Sequence, residues 1–269
     1  MPNLDLDNDD AELMELWHEQ TRYYRGAIGR RSRIIQRYLS DPVTIQAAAQ
    51  GWKIVAGEKV IALPAASLPD NSFSDVCAAR ESAKRAHLAG ELGLGDLGTL
   101  LALAIRSHRQ KPAAQAPHVL YNFRPYPSPG ALYPCEIFVI PGAVAGLSHR
   151  PYRYDPVRHA LIDFGCATGR FQATETDTCE TAPPCTIVIA GVLDRVTQKY
   201  GPRGYRLACL EAGHIGQNLI LAATAMALPS LVYSAFYDVE VEQWLGLDGL
   251  NEVVLSAVLI GGADNNSYL

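Results

Sequence analysis

The chain has 269 residues, 48% of them hydrophobic and 19% charged, enough apolar material for a sizeable core in one large domain or two small ones. A formal net charge of −5 argues against a nucleic-acid-binding surface, which would carry a basic excess. The acidic start, MPNLDLDNDDAELMELW, is not a secretory signal, and the longest strongly apolar run, Leu219 to Leu228, is about half of the roughly 20 residues that cross a bilayer; a cytoplasmic protein without membrane or nucleic-acid partners is expected.

Residues 1–70 read as an N-terminal arm and 71–269 as the main domain. In the arm, Leu13, Leu16 and Trp17 recur at helical spacing. Arg30, Arg31, Arg33 and Arg37 form a basic cluster, which suits a solvated helix face better than a contact for an acidic partner. DPVTIQAAAQGWKIVAGEKVIALPAASLPD then reads as an extended arm or short strands, closed by Pro64 and Pro69.

Two helices are expected over residues 72–110. The first is FSDVCAARESAKRAH, which Ser72 or Ser74 can cap. The second carries Leu97, Leu100, Leu101, Ala104 and Ile105 at the period of a buried face. After the connector QKPAAQAPH, EIFVIPG reads as a short strand and PYRYDPVRHALIDF as a hairpin turning at Asp155 and Pro156. Residues 167–181 are helix or loop. PPCTIVIAGVLD is a buried strand, a long helix runs over about 205–227, and NEVVLSAVLIGG is a last buried strand. Helices and strands do not alternate regularly, so an α+β sheet with helices on both sides is expected rather than a doubly wound fold.

Six cysteines are scattered without a C-x-x-C pair, so neither disulfides nor a zinc site is expected. Cys135, Cys185 and Cys209 lie in apolar contexts and read as small buried hydrophobes.

Three stretches carry chemistry. In RESAK, Arg80 and Lys84 are four residues apart, so on a helix they share a face, and Ser82 adds a hydroxyl. Two cations and a hydroxyl suit a phosphate, with a solvated face as the plainer alternative. In RPYPSPGALYP, three prolines fix the backbone around Ser128 and Gly130, and Gly130 can take positive φ or admit a ligand to the main chain. A simple turn would not call for Arg124, Ser128 and Tyr133 together, yet turn and ligand site both remain open. QKYGPRGYR is too broken for a helix and reads as a loop bent at Gly201, Pro202 and Gly204. It holds Lys199 beside Tyr200, groups that ordinarily titrate near 10. Burial or the neighbouring Arg203 and Arg206 would lower the lysine towards a range useful for proton abstraction; the alternative is an exposed, charged loop.

The long helix carries a polar stripe of Glu211, His214 and Asn218, with Gln217 alongside. Ala208, Ala212, Gly213 and Gly216 permit close helix approach, so the helix reads as internal or buried between subunits. His214 reads as a satisfied core residue with Glu211 as its partner.

PSPGALYPCEIFVI, YRYDP, KYGPRGYR and LEAGHIGQNLILAATAMAL follow one another in the order and at the intervals of the SagB-type dehydrogenases, the thiazole- and oxazole-forming branch of the FMN-dependent nitroreductase-like superfamily. HEQTR near the start is similar to that branch's N-terminal signature. The resemblance covers about residues 15–262. It implies a nitroreductase-like fold, a mixed central β-sheet flanked by helices on both sides, in an intertwined homodimer with FMN at the subunit interface. Arg80, Ser82 and Lys84 would grip the FMN phosphate. Ser128, Gly130 and Arg124 would meet the isoalloxazine or ribityl, and Gln217–Asn218 match the family's pair on the central dimer helix. Lys199 and Tyr200 match the pair assigned to proton abstraction in azoline oxidation.

Desaturating a thiazoline or oxazoline removes a proton from Cα and a hydride from Cβ; FMN N5 accepts the hydride, dioxygen reoxidises the flavin, and the protein supplies base and geometry. The substrate would be an azoline in a peptide or on a carrier, presented by a separate cyclodehydratase or peptide synthetase. The chain departs from the pattern in two places: Lys84 replaces the usual second arginine, and the tail GGADNNSYL has no basic residue. Two other readings compete. One is a flavoenzyme of the same fold with another substrate, either an NAD(P)H-dependent reductase or a desaturase of a different amino-acid-derived intermediate. The other is a non-catalytic scaffold of a biosynthetic complex.

Overall fold

The computed structural model describes residues 8–22, 24, 25, 28–49, 57–169, 171, 173, 174, 179, 180 and 182–262. The side chains of Arg30 and Arg31, part of 167–181 and the tail beyond Gly262 lie outside the described residues. A seven-stranded sheet forms the centre, in the order β1-β6-β5-β4-β7-β9-β8. Its strands are β1 (Lys59–Ala62), β4 (Cys135–Pro141), β5 (Tyr152–Asp155), β6 (Ala160–Asp163), β7 (Cys185–Val192), β8 (Ser230–Tyr233) and β9 (Glu252–Ile260). Every ladder is antiparallel. The parallel component of the expected mixed sheet is an isolated bridge, Leu92 to Val144.

The two central strands are apolar throughout because both of their faces are buried. Alternate residues of a strand point to opposite sides. Cys135, Ile137 and Val139 of β4, with Ile187 and Ile189 of β7, enter a core shared with α5 (Leu94–Ala104) and α7 (Arg203–Ala225). Phe138, Ile140, Val188 and Ala190 enter a second core closed by Val241 and Leu245 of α8 (Asp238–Leu245). Helices therefore cover both faces, and β4 and β7 read as continuous hydrophobic runs. The 5–6 hairpin has the expected turn, with Asp155 opposite Ala160. On α5, Leu97, Leu100, Leu101 and Ala104 are buried as their spacing requires.

The arm is more helical than expected. α1 (Asn8–Thr21), α2 (Ile28–Ser40) and α3 (Pro42–Ala49) precede β1. Asp41 opens α3: its carboxylate accepts the Val43 N–H at 3.0 Å and lies just ahead of Pro42 at the first helical position. This local signal outweighs the β-branched Val43, Thr44 and Ile45, which favour extended chain. The connector QKPAAQAPH is also structured. It belongs to a separate two-stranded ribbon, β2 (Arg109–Ala113) and β3 (Ala116–Phe123). Pro112 and Pro117 fit there because a ribbon has no central strand to interrupt. A third core joins these pieces: Tyr38, Ile45 and Ala48 pack with Ala113, Val119, Leu132, Val196 and Ala208.

Candidate active site

Lys199 and Tyr200 sit at the end of a short helix, α6 (Asp194–Tyr200), rather than in a loop. Gly201 stops that helix at φ 62°, ψ −150°, a conformation that is essentially glycine's alone. Pro202 follows, and α7 begins at Arg203. The corner is tight. A Cβ on Gly204 would lie 2.8 Å from the Thr197 backbone nitrogen, so a side chain there would push α6 and α7 apart. The expected bend at Gly201 and Pro202 is present, whereas Gly204 belongs to α7, where it permits close helix approach. The stretch is a helix–corner–helix because Leu193, Val196 and Ala208 bury one side of it in the third core.

The turn at Pro129–Ala131 faces this corner. Gly130 has φ 63°, and Ala131 and Tyr133 hold left-handed φ values of 57° and 47°. Two non-glycine residues in that region carry strain, which the surroundings must over-determine. Tyr133 N–H donates to Ser128 Oγ at 2.8 Å, the Tyr133 carbonyl accepts from Arg195 Nη1 at 3.1 Å, and the Tyr133 hydroxyl accepts the Arg124 N–H at 3.0 Å. Arg195 is itself held by Glu136 at 2.5 Å. Fixed this way, Gly130 meets both candidate catalytic side chains. A Cβ there would lie 2.6 Å from the Tyr200 hydroxyl and 2.7 Å from Lys199 Nζ.

Beneath the turn is a buried polar network. Glu211 of α7 is fully buried, and its Oε1 accepts the Cys135 N–H at 3.2 Å. Burial pushes its carboxyl up to about 7, against the pull of the Ser128 hydroxyl and the Arg124 guanidinium. Arg124 Nη1 donates to the Tyr126 hydroxyl at 2.8 Å and to the Cys135 carbonyl at 3.2 Å, and its guanidinium stacks 4.8 Å from the Tyr133 ring centroid. Burial opposes that charge, but Tyr126, Glu136 and Glu211 hold Arg124 firmly protonated. Burial also lowers the Lys199 amine from its ordinary value, the direction that proton abstraction requires.

RESAK does not continue the preceding helix. α4 (Phe73–Ala79), capped by Ser72, ends before it, and Arg80 and Lys84 both have extended backbone. The expected helical i, i+4 face is therefore absent. In an extended segment alternate side chains share a side, which still groups Arg80, Ser82 and Lys84. The Ala83 N–H donates to the Ser230 carbonyl at 2.9 Å and pins the segment to β8, the edge strand. Among the described residues, none of the three has an ion-pair partner or a side-chain hydrogen bond.

On α7, Asn218 Nδ2 donates to the Ala104 carbonyl at 3.2 Å at the end of α5, while Gln217 is exposed. His214 and Cys209 are exposed too, in contrast to the core positions expected for them. Glu211, three residues before His214, turns inward to Cys135, so the edge of the buried face passes between the two. Cys135 and Cys185 are buried. HEQTR docks against the corner: Arg206 Nη2 reaches Thr21 Oγ1 at 2.6 Å, and Arg203 Nη1 reaches the Thr21 carbonyl at 3.2 Å.

A cavity of about 680 Å³ lies behind the turn, lined among others by Gln46, His118, Tyr121, Arg124, Arg153 and Arg195. Ala131 and Leu132 border it, but Lys199, Tyr200 and Gly130 do not line it. Two features of the site were hidden in the sequence: Glu211 tied to the turn, and Tyr38 of α2, whose ring centroid lies 5.3 Å from Lys199 Nζ. Both are contacts between distant segments, with no local pattern to reveal them. Among the described residues no cluster of His, Cys, Asp and Glu could hold a metal ion, and no helix is long and apolar enough to cross a membrane.

Residues 79–262 match the Nitroreductase family, and the chain belongs to it. That family is one of oxidoreductases whose members bind FMN. The chain is 35% identical over 127 residues to the nitroreductase-like protein MJ1384 of Methanocaldococcus jannaschii, covering 46% of this chain and 64% of that one. It is 30% identical over 156 residues to the microcin B17-processing protein McbC of Escherichia coli, covering 54% and 57%. It therefore spans less than two thirds of either curated relative. Among solved structures, a nitroreductase-like protein of Anabaena variabilis superposes with a TM-score of 0.62 at 20% identity, over 93% of this chain and 46% of the other. A chain of the E. coli microcin synthetase McbBCD complex, with truncated pro-MccB17 bound, superposes with a TM-score of 0.55 at 22% identity, over 93% and 97%. These superpositions speak for the fold. The residues here suit the anionic end of the cofactor: an extended segment offers two cations and a hydroxyl of the kind that binds a phosphate.

Proposed function

We propose that the chain is an FMN-dependent azoline dehydrogenase, converting thiazoline or oxazoline rings of a peptide or carrier-bound natural product to thiazoles or oxazoles. The observation that carries this reading is the convergence of Lys199 Nζ and the Tyr200 hydroxyl on Gly130, with the amine lowered by burial. A simple nitro-group reductase needs no such base; an azoline oxidase does.

Arg80, Ser82 and Lys84 would bind the FMN phosphate. Ser128 and Gly130 would lie along the ring and ribityl, and Gln217 on α7 would approach from the dimer face. Arg124 serves the ring indirectly, since its Nη1 is taken by Tyr126 and the Cys135 carbonyl. FMN, when bound, supplies at N5 the acceptor for a hydride from the substrate's Cβ. Lys199 takes the Cα proton on its neutral amine and becomes ammonium, while Tyr200 orients the ring nitrogen side of the substrate by hydrogen bonding. A base already placed at that proton is worth about 10²–10⁴ in rate.

The exposed side of α7, with Cys209, Leu210, Gly213, His214 and Gln217, is the face through which two copies would pair. The similarity to McbC, and to a chain of a complex holding a peptide, supports a partner that builds the azoline and hands it over.

The test is anaerobic mixing of the FMN-loaded protein with a thiazoline-containing peptide. The visible flavin band should bleach with formation of thiazole, two mass units lost per ring. Bleaching by NAD(P)H but not by the azoline would instead establish a reductase.

A further inference from the structure

We infer that the N-terminal helices complete the Lys199 site, with the Tyr38 ring as the positioning residue for its amine. The inference rests on the reading of Lys199 as the base. The match to the Nitroreductase family begins at residue 79, so α1, α2 and α3 precede the part of the chain that defines the family. α2, backed by α3, nevertheless forms a wall of this site, and α1 ties down the corner beside it.

Tyr38 is 2% exposed, and its ring centroid lies 5.3 Å from Lys199 Nζ. The Tyr200 ring centroid lies at the same 5.3 Å. The amine thus lies over two aromatic rings with the Gly130 backbone beside it. A lysine amine at the end of four methylenes is a mobile group, and a base is useful only when held where its proton is removed. Two ring faces and a glycine leave it little freedom. They also favour the ammonium once the proton is taken up, because the face of an aromatic ring is negative.

The position of Tyr38 is itself fixed from several sides. Ile45 and Ala48 of α3, Leu132 after the turn and Val196 of α6 share its core. The far end of the corner is tied to the same segment through Thr21, held by Arg203 and Arg206, and Arg206 also stacks 5.1 Å from the Trp17 ring centroid. Among the described residues, the amine meets Tyr38 from α2, its neighbour Tyr200 from α6 and the backbone of Gly130 from the turn; Tyr121 of β3 stands behind Tyr38. Burial and the neighbouring phenols of Tyr121 and Tyr200 keep the Tyr38 hydroxyl protonated. The ring, rather than an ionised oxygen, is therefore what Tyr38 presents.

The experiment labels the full chain with trace acetic anhydride across pH and reads each lysine by mass spectrometry, without FMN or substrate. Lys199 should label with a midpoint below those of the exposed Lys59 and Lys111. Tyr38→Met stays apolar at the cost of some volume and loses the ring face. It should move the Lys199 midpoint down by roughly half to one and a half units, leave Lys59 and Lys111 unmoved, and lower kcat on the azoline about tenfold or more with KM little changed. Tyr38→Phe keeps the face and should match the wild type in all three. Should Tyr38→Met not accumulate folded, Tyr38→Leu replaces it. A wild-type Lys199 that labels like Lys59 and Lys111 overturns the inference, as does a Tyr38→Phe protein that shifts as Tyr38→Met does, or a Tyr38→Met protein that does not shift. Unchanged azoline oxidation in Lys199→Ala, with the Tyr38→Met shift present, removes the role of Lys199 as base while upholding the hold of Tyr38 on its amine.

Discussion

Gly130 and Lys199 are in direct apposition: a methyl group on the glycine would come within 2.7 Å of the lysine amine. The neighbours it would strike are the ends of two side chains, Lys199 and Tyr200, not backbone. Gly130→Ala should therefore cost only about 1 kcal/mol of stability, chiefly for an alanine at φ 63°. The displaced amine should slow azoline oxidation by about 10²-fold. Urea unfolding beside single-turnover kinetics checks both numbers. A variant with full activity would mean that the contact does not set the position of the amine.

Glu211 makes stability depend on pH. Its folded value of about 7 stands above the ordinary 4.5, so the folded state holds the proton more tightly than the unfolded chain. The stabilisation linked to that proton is fully present below about 4.5 and is lost as pH rises through about 7. At about 1.4 kcal/mol per unit, the loss is about 3 kcal/mol at most. Glu211→Gln keeps an acceptor for the Cys135 N–H and should flatten this slope, so the variant gains on the wild type between pH 5 and pH 8. Chemical denaturation at those two pH values measures it.

Arg80→Ala should weaken FMN retention by roughly 10- to 100-fold, the worth of a charge-assisted hydrogen bond to phosphate. The effects of Ser82→Ala and Lys84→Ala should be smaller, since each removes a more exposed or uncharged donor. Titration of the apoprotein with FMN, followed by flavin fluorescence, gives the constants. Equal affinity in Arg80→Ala would place the phosphate elsewhere.

Leu210 is 54% exposed in the single chain, on the face of α7 that the proposed dimer covers. Leu210→Asp places a charge there and should yield a monomer by light scattering, together with loss of bound FMN. A wild-type protein that is already monomeric and retains FMN would contradict the dimer.

The sequence was most legible where local chemistry and burial agree. β4 and β7 are uniformly apolar because two cores enclose them, and α5 shows its buried face by spacing. Elements stabilised mainly by tertiary packing were hidden. α6 is seven residues long and is followed by Gly-Pro, so nothing local marks it as a helix. The β2–β3 ribbon carries prolines and faces solvent on much of its surface, which erases the alternation of a strand. His214 looked buried because one polar stripe does not say which of its members faces in; Glu211 does, and His214 does not. Within the site, Lys199, Tyr200, Ser128 and Gly130 stood out by residue type. Their meeting, the Tyr38 ring over the amine and the Glu211 support of the turn are contacts across the chain that only folding creates.

In the proposed reaction Lys199 removes the proton whose loss makes the ring aromatic. The most direct measurement is anaerobic single-turnover bleaching of bound flavin by a thiazoline peptide, in wild type and in Lys199→Ala loaded with equal FMN. The variant should hold its FMN and bleach about 10²–10⁴ times more slowly. Bleaching at the wild-type rate would contradict it.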